Sequence, residues 1–326
     1  SAENNLEALL PLVTDKTYKR CFFVVDDRNC VDLFRDGTID AVVRKAIALG
    51  LPPIRAIQLA TINPAEYFRL RGLGAVAPGY QANLIVIDDL SSLRVDMVFH
   101  RGRLVADTGK PLFSVKRAAS RGLTNTVKVK PFPIESLQLR ASGETLPIIE
   151  VIPGQIITRK RIGKIRVRDG MVVPDISRDI LKLVVVERHK ATGNIGQGMI
   201  SGLGLKKGAL ASSIAHDSHN IVAVGTNDED IYAAIKEIER LQGGLVVVAG
   251  GQVLASLTLP IAGLLSTEPL EVVVDKLQHL EQAATHLGAR LSSSFSTLSF
   301  MALPVIPELR LTDLGLVDVG QFKLIK

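Results

Sequence analysis

With 326 residues the chain has room for about two domains. Apolar residues make up 47% and charged residues 22%, which excludes a disordered or fibrous polypeptide and leaves enough apolar side chain for buried cores. Aromatic residues are only 4%, with no tryptophan, and a net charge of +6 is dilute over this length, so neither stacking nor charge points to a nucleic-acid partner.

The first residues, Ser-Ala-Glu-Asn-Asn, lack an initiating methionine and a basic leader, and Glu3, Glu7 and Asp15 interrupt any apolar signal. The opening reads as that of a fragment or trimmed chain without a secretory signal. Two cysteines, Cys21 and Cys30, form no CxxC pair and fit a reducing compartment, so the expected location is the cytoplasm.

In chain order, Leu6–Leu12 has helical character, and Cys21–Val25 is a continuous apolar run of the kind found in a strand buried on both faces. Helices follow over residues 39–47 and from Pro53 to about Asn63-Pro64. One buried strand followed by helices reads as a single unit of an α/β barrel or open parallel sheet. Residues 67–118 change to short strands, at Leu84–Ile87, Val95–His100 and around Leu104–Ala106, punctuated by glycine and proline. Residues 119–134 read as a polar linker, and 135–326 as an α+β domain.

In that last domain the pattern predicts strands at Ile148–Ile152, Gly163–Val167, Leu181–Glu187, Ser213–His216 and Ile221–Val224. One helix is capped by Thr226 or Asn227 and ends at Gly243; another starts at Pro269 and ends at Gly288. From Leu241 to Thr267 there is no charged residue, but Gly243-Gly244, Gly250-Gly251 and Pro260 divide the stretch into two strands, Leu245–Ala249 and Gln252–Thr258. No membrane span is expected.

Several groups could carry chemistry. Asp26-Asp27 follows the apolar run directly, where a carboxylate is costly unless it is paired, bonded or metal-bound. The pair reads either as catalytic, at the C-terminal end of a barrel strand, or as a helix cap or a salt bridge to Arg28. The stretch Ala215-His216-Asp217-Ser218-His219-Asn220 compresses two histidines, an aspartate and an asparagine between apolar runs. It reads either as a site or as a polar turn. His189 lies at a predicted strand end and could line a pocket, whereas His279 and His286 read as surface residues.

The glycine run from Gly193 to Gly208 matches neither GxGxxG nor GxxxxGK[ST], which disfavours a nucleotide-phosphate cradle and leaves a mobile loop or close backbone packing. The cations from Arg159 to Arg168 read either as a nucleic-acid stripe or as a solvated strand face, and Arg166 and Arg168, alternating with Ile165 and Val167, fit the second.

The stretch Ala60-Thr61-Ile62-Asn63-Pro64-Ala65, with Gly72 to Asp88 after it, resembles the chain end of the amidohydrolase superfamily. Phe23-Val-Val-Asp26-Asp27-Arg28, Val186-Glu187-Arg188-His189, Thr192-Gly193-Asn194-Ile195-Gly196, Ala215–Asn220, Gly225-Thr226-Asn227-Asp228 and Leu303–Leu309 resemble bacterial adenine deaminases in particular. That resemblance implies the last part of a (β/α)8 barrel at 1–66, a small β-sandwich segment at 67–118 and an α+β domain at 135–326 that caps the active site.

It further implies a cytoplasmic purine-salvage hydrolase that converts adenine to hypoxanthine and ammonia, assembled as a homo-oligomer, with no nucleic-acid or membrane partner. A binuclear divalent metal centre, manganese or iron, is implied as cofactor, with Asp26 as ligand and catalytic carboxylate. Asp27, His189, His216, Asp217, His219 and Asn220 fall in the substrate pocket or behind it. The family's His-x-His pair, bridging carboxylate and further barrel histidines have no counterpart here. The expectation is therefore a C-terminal half that is completed by an N-terminal barrel portion and is inactive alone. The competing expectation is an autonomous ligand-binding or regulatory domain without catalysis.

Overall fold

The computed structural model describes residues 5–115 and 122–325. The chain is mixed α/β and divides near residue 119 into two compact units. In the first, the amphipathic helices Ile39–Ala48 and Pro53–Ala60 bury Val43, Ala46, Ala56 and Leu59, with Leu51 and Leu93 completing the core. Thr61 breaks the helical path, and a further helix, Ile62–Tyr67, runs on past the expected stop at Asn63-Pro64. Pro64 is tolerated because it lies in the first turn, where no intrahelical acceptor is needed. A helix not foreseen in the sequence, Cys30–Asp36, is capped by Asn29, whose Oδ1 accepts from Asp32 N–H at 2.8 Å. Beyond these helices, an antiparallel meander of four strands runs from Leu84–Ile87 through Val95–His100 and Arg103–Asp107 to Lys110–Pro111.

Cys21–Val25 is extended but is not a strand, which corrects the sequence reading. A strand needs a neighbour for its ladder, and among the described residues none pairs with it. Its backbone is held otherwise: Phe23 N–H donates to the Leu59 carbonyl at 2.9 Å. The buried Asn63 amide also donates to the Tyr18 and Cys21 carbonyls, at 2.7 and 2.8 Å.

The second unit is built on a sheet of eight strands. They are β1 (Thr145–Val151), β2 (Thr158–Lys164), β3 (Ile180–Val186), β4 (Ile195–Ser201), β5 (Ala209–Ser212), β6 (Ile221–Gly225), β7 (Gly244–Ala249) and β8 (Gln252–Thr258). Their order is β8-β7-β5-β6-β3-β4-β1-β2, antiparallel except for the β4–β1 pair. Three helices accompany them, α1 (Asp228–Leu241), α2 (Leu270–His286) and α3 (Ser294–Phe300).

Helix α1 lays Ile231, Ala234, Ile235 and Ile238 on Val184, Val186, Ala211, Ala223 and Val246. The alternate residues Leu183, Val185, Val222 and Val224 are equally buried, so both sheet faces are covered. Each fully buried aliphatic side chain contributes about 1.5–3 kcal/mol, which explains why β3, apolar but for one residue, lies in the middle of the sheet. The one cation of β3, Lys182, is neutralised by Asp228 and donates to the Leu137 carbonyl at 2.9 Å.

Several sequence expectations are revised or settled here. Ser213–His216 is not a strand: β5 ends at Ser212, and the serine side chains turn the chain out of the ladder, Ser212 Oγ accepting from Ile214 N–H at 2.9 Å. Of the two readings of the glycine run, close backbone packing holds at Gly196 and Gly198, which lie inside β4. A Cβ on Gly196 would stand 1.8 Å from the Thr312 carbonyl oxygen, so glycine there permits close backbone packing. The predicted strand Gly163–Val167 is split between β2 and a separate short strand, Arg166–Arg168. Of the stretch read as a linker, 119–121 lies outside the described residues, and Val127 and Val129 are buried in the core of this unit. No helix among the described residues is long and apolar enough to cross a membrane.

Candidate active site

In the first unit, the Asn63 clamp leads the extended segment to Asp26 and Asp27, both exposed. Asp26 Oδ1 accepts from Asp27 N–H at 2.8 Å. The cap of the following helix is Asn29 rather than either aspartate, and Arg28 reaches Asp36 at 3.4 Å.

In the second unit, β3 delivers Glu187, Arg188 and His189 at its C-terminal end, while the chain between β5 and β6 forms the loop Ser213–Asn220. Glu187 is buried, which works against its charge. Backbone N–H groups of Thr192 (2.9 Å), Lys190 (2.8 Å) and His189 outweigh this and hold its pKa below the ordinary carboxylate value. The carboxylate thereby ties down the turn that carries His189. His189 Nε2 donates to the Ser218 carbonyl at 2.7 Å and so joins that turn to the loop.

Within the loop, His216 N–H donates to the Ser299 carbonyl at 3.0 Å, and its ring lies 4.6 Å from the Phe300 ring. The His216 and His219 rings meet edge-on at 5.7 Å. His219 Nδ1 accepts from Ala215 N–H at 3.3 Å, which places the ring proton on Nε2. Burial holds His219 below the ordinary imidazole value; the nearby His216, Arg188 and His189 add to this, and Asp217 opposes it. Asn220 Nδ2 donates to Asp313 at 3.1 Å, and the other oxygen of Asp313 accepts from Asn194 at 3.1 Å.

The structure thus brings His189, His216, His219 and Asn220 into one cluster, with the exposed Asp217 on the same loop. Asp26 and Asp27 belong to the other unit. Sequence reasoning passed over Asp313, Phe300 and the side chain of Arg188. Asp313 lies 93 residues beyond Asn220, so no local pattern could mark it. Arg188 did carry a signal, as a cation two residues past the apolar end of β3.

Among the described residues, no group of three or more His, Cys, Asp or Glu could hold a metal ion. Neither the histidine loop nor the Asp26–Asp27 corner is a complete ligand set by itself.

Comparison with known proteins fits both halves of this picture. The model of the adenine deaminase C-terminal domain matches residues 155–323, and that of the amidohydrolase family matches residues 1–105. An adenine deaminase of Dehalococcoides mccartyi (strain ATCC BAA-2266 / KCTC 15142 / 195) is 63% identical over 325 residues, and adenine deaminase 2 of Carboxydothermus hydrogenoformans is 48% identical over 326. An adenine deaminase of Geobacillus kaustophilus is 44% identical over 330 aligned residues. Each match covers 100% of this chain and 57% of the relative, so the chain spans a little over half the length of these proteins. With the C-terminal-domain model spanning residues 155–323 and relatives similar from end to end of this sequence, the chain belongs to the adenine deaminase C-terminal domain family.

Proposed function

We propose that this chain is the C-terminal part of a cytoplasmic, homo-oligomeric adenine deaminase of purine salvage. The reaction hydrolyses the exocyclic C–N bond of adenine to give hypoxanthine and ammonia. The observation that carries this reading is the pinned histidine loop. The segments that resemble the deaminases, Val186–His189, Thr192–Gly196 and Ala215–Asn220, are tied together by bonds between side chains and backbone: Glu187 accepts from Thr192 N–H, and His189 donates to the Ser218 carbonyl.

In this reading residues 1–66 are the last part of a (β/α)8 barrel and 67–118 a β-sandwich segment. Residues 119–134 connect them to 135–326, which cap the substrate site. Adenine presents ring nitrogens that accept hydrogen bonds and an amine that must leave protonated. His219, neutral with its proton on Nε2, is a donor to such a nitrogen, and His216, Asp217 and Asn220 line the same loop. His189 is joined to that loop, and Asp27 is assigned to the substrate pocket or to the layer behind it. Asp26 is the carboxylate that takes and returns the proton of the attacking water.

The reading also calls for a binuclear divalent metal, manganese or iron, which would lower the pKa of that water. The described residues of this chain do not fit such a centre by themselves. Asp26 is the ligand we assign to it, and the remaining ligands come from the N-terminal barrel portion.

The test is direct. The full-length protein, loaded with manganese or iron and its metal content measured, should release one ammonia per hypoxanthine from adenine. Metal-replete, folded protein that leaves adenine untouched would refute the assignment.

A further inference from the structure

Arg188 is 1% exposed, yet among the described residues no carboxylate accepts from its guanidinium. Nε donates to the His219 carbonyl, and Nη2 donates to the carbonyls of Ser213 at 3.3 Å and Ala262 at 3.1 Å. Its own backbone N–H reaches Asn220 Oδ1 at 3.4 Å. The remaining nitrogen, Nη1, is buried without a hydrogen-bond partner, and a Cβ on Gly263 would stand 2.7 Å from it.

A buried cation ordinarily has a counter-ion, because desolvation is otherwise uncompensated. Here that interaction is replaced by contacts to both ends of one loop, Ser213 at the start and His219–Asn220 at the finish. Burial pushes the Arg188 pKa down to about 10, with Glu187 opposing, so the group stays charged at neutral pH.

We infer that Arg188 is the positioning residue of this site: its guanidinium closes the Ser213–Asn220 loop from within the fold and so fixes which ring nitrogen of His219 carries the proton. The role in turnover rests on the reading of this loop as the substrate site; the role in ring geometry does not. The link between the two groups is short. Arg188 holds the His219 carbonyl, and Ala215, inside the same closed loop, donates its N–H to His219 Nδ1. With Nδ1 occupied as acceptor, Nε2 must carry the hydrogen. The charges facing His219 are Arg188, His189 and His216 on one side of the balance and Asp217 on the other. Only arginine offers a planar fork that serves several carbonyls at once; lysine brings a single nitrogen on a flexible stem.

The experiment uses the full-length protein with 13C,15N-labelled histidine, as wild type and as Arg188→Lys, with His219→Gln to assign the His219 signals. Wild type should show the Nε2–H form of His219 and a titration midpoint below the free-imidazole value of about 6.5. In R188K the midpoint should rise toward that value and the two tautomers should mix. kcat/KM for adenine should fall about ten-fold, with its acid limb displaced upward, as expected when a buried tether of this kind is lost. An R188K protein that folds normally and keeps the wild-type tautomer and midpoint overturns the inference.

Should R188K not fold, Gly263→Ala keeps the arginine but crowds Nη1, and an unchanged His219 spectrum there is equally decisive against it. The ring readout is independent of turnover, so wild-type protein that fails to deaminate adenine refutes the proposed activity and leaves the positioning role to stand or fall on the spectra.

Discussion

The Asp26–Asp27 corner and the Ser213–Asn220 loop are both short polar segments next to apolar ones, but they are held by different means. The corner is placed through its own backbone: the Asn63 side chain and the Leu59 carbonyl hold the main chain of Tyr18, Cys21 and Phe23, and the aspartates beyond are exposed. The loop is placed by side chains from several elements, with Arg188, His189, Asp313 and Phe300 each engaging it. The corner can therefore lose a carboxylate without losing its shape. The loop is preorganised and cannot be altered at one point without moving others.

This contrast can be sharpened by mutation in the full-length protein. The largest effect is expected from Asp26→Asn, which should cut turnover by about 10²–10⁴-fold, the range typical of a lost acid–base group. Thermal stability should stay unchanged, because the exposed carboxylate holds only the neighbouring N–H. A D26N protein that turns over normally, or one that unfolds, breaks the comparison.

Next comes His219→Ala, which should lower kcat/KM for adenine about 10- to 100-fold through loss of a hydrogen-bonding group. Unchanged kinetics would reduce the loop to a structural turn. Asp313→Ala removes the bonds to Asn220 and Asn194 together. It should cost about 1–3 kcal/mol in urea unfolding and only a few-fold in kcat/KM, because it loosens the loop without touching substrate. A stability loss as small as that of D26N would show that the loop is not held as described.

The smallest effect concerns pH. His219 has a lower pKa folded than unfolded, so below the unfolded value the unfolded chain binds more protons. Stability should decline as pH falls from about 6.5 toward the folded value and then level off. His219→Gln should flatten that part of the profile relative to wild type in paired urea titrations, and identical slopes would contradict the assigned environment.

Much of the second unit was legible because its signals are local. Apolar runs bounded by glycine gave β7 and β8 nearly to the residue, and Asn227 gave the start of α1, where its side chain accepts from Asp230 N–H at 2.7 Å. Illegible parts depend on distant partners. Strand β4 could be read as a loop or as close packing, because the partners of its glycines, Thr312 for Gly196 and Leu316 for Gly198, lie far along the chain. Cys21–Val25 looked like a strand because composition reports burial preference, not whether a neighbour is there to pair. The candidate site divides in the same way: the histidines were visible as a compressed cluster, while the residues that hold them, Arg188 and Asp313, act across the sheet.

The outer strand β2 has a consequence for how this molecule behaves among its own copies. It carries Arg159, Lys160, Arg161 and Lys164, of which, among the described residues, Lys160 and Arg161 are countered, by Asp318 at 2.7 Å and Glu150 at 3.5 Å. A free sheet edge is a template on which further strands can add. Here Pro307 and Glu308 already bond the start of the edge at Thr158 and Lys160, and over the remainder a second β2 laid alongside would bring like charges face to face in a narrow ladder. The cationic row thus acts as a stop to lateral growth of the sheet, and it explains a basic run of sequence without calling on any polyanionic ligand.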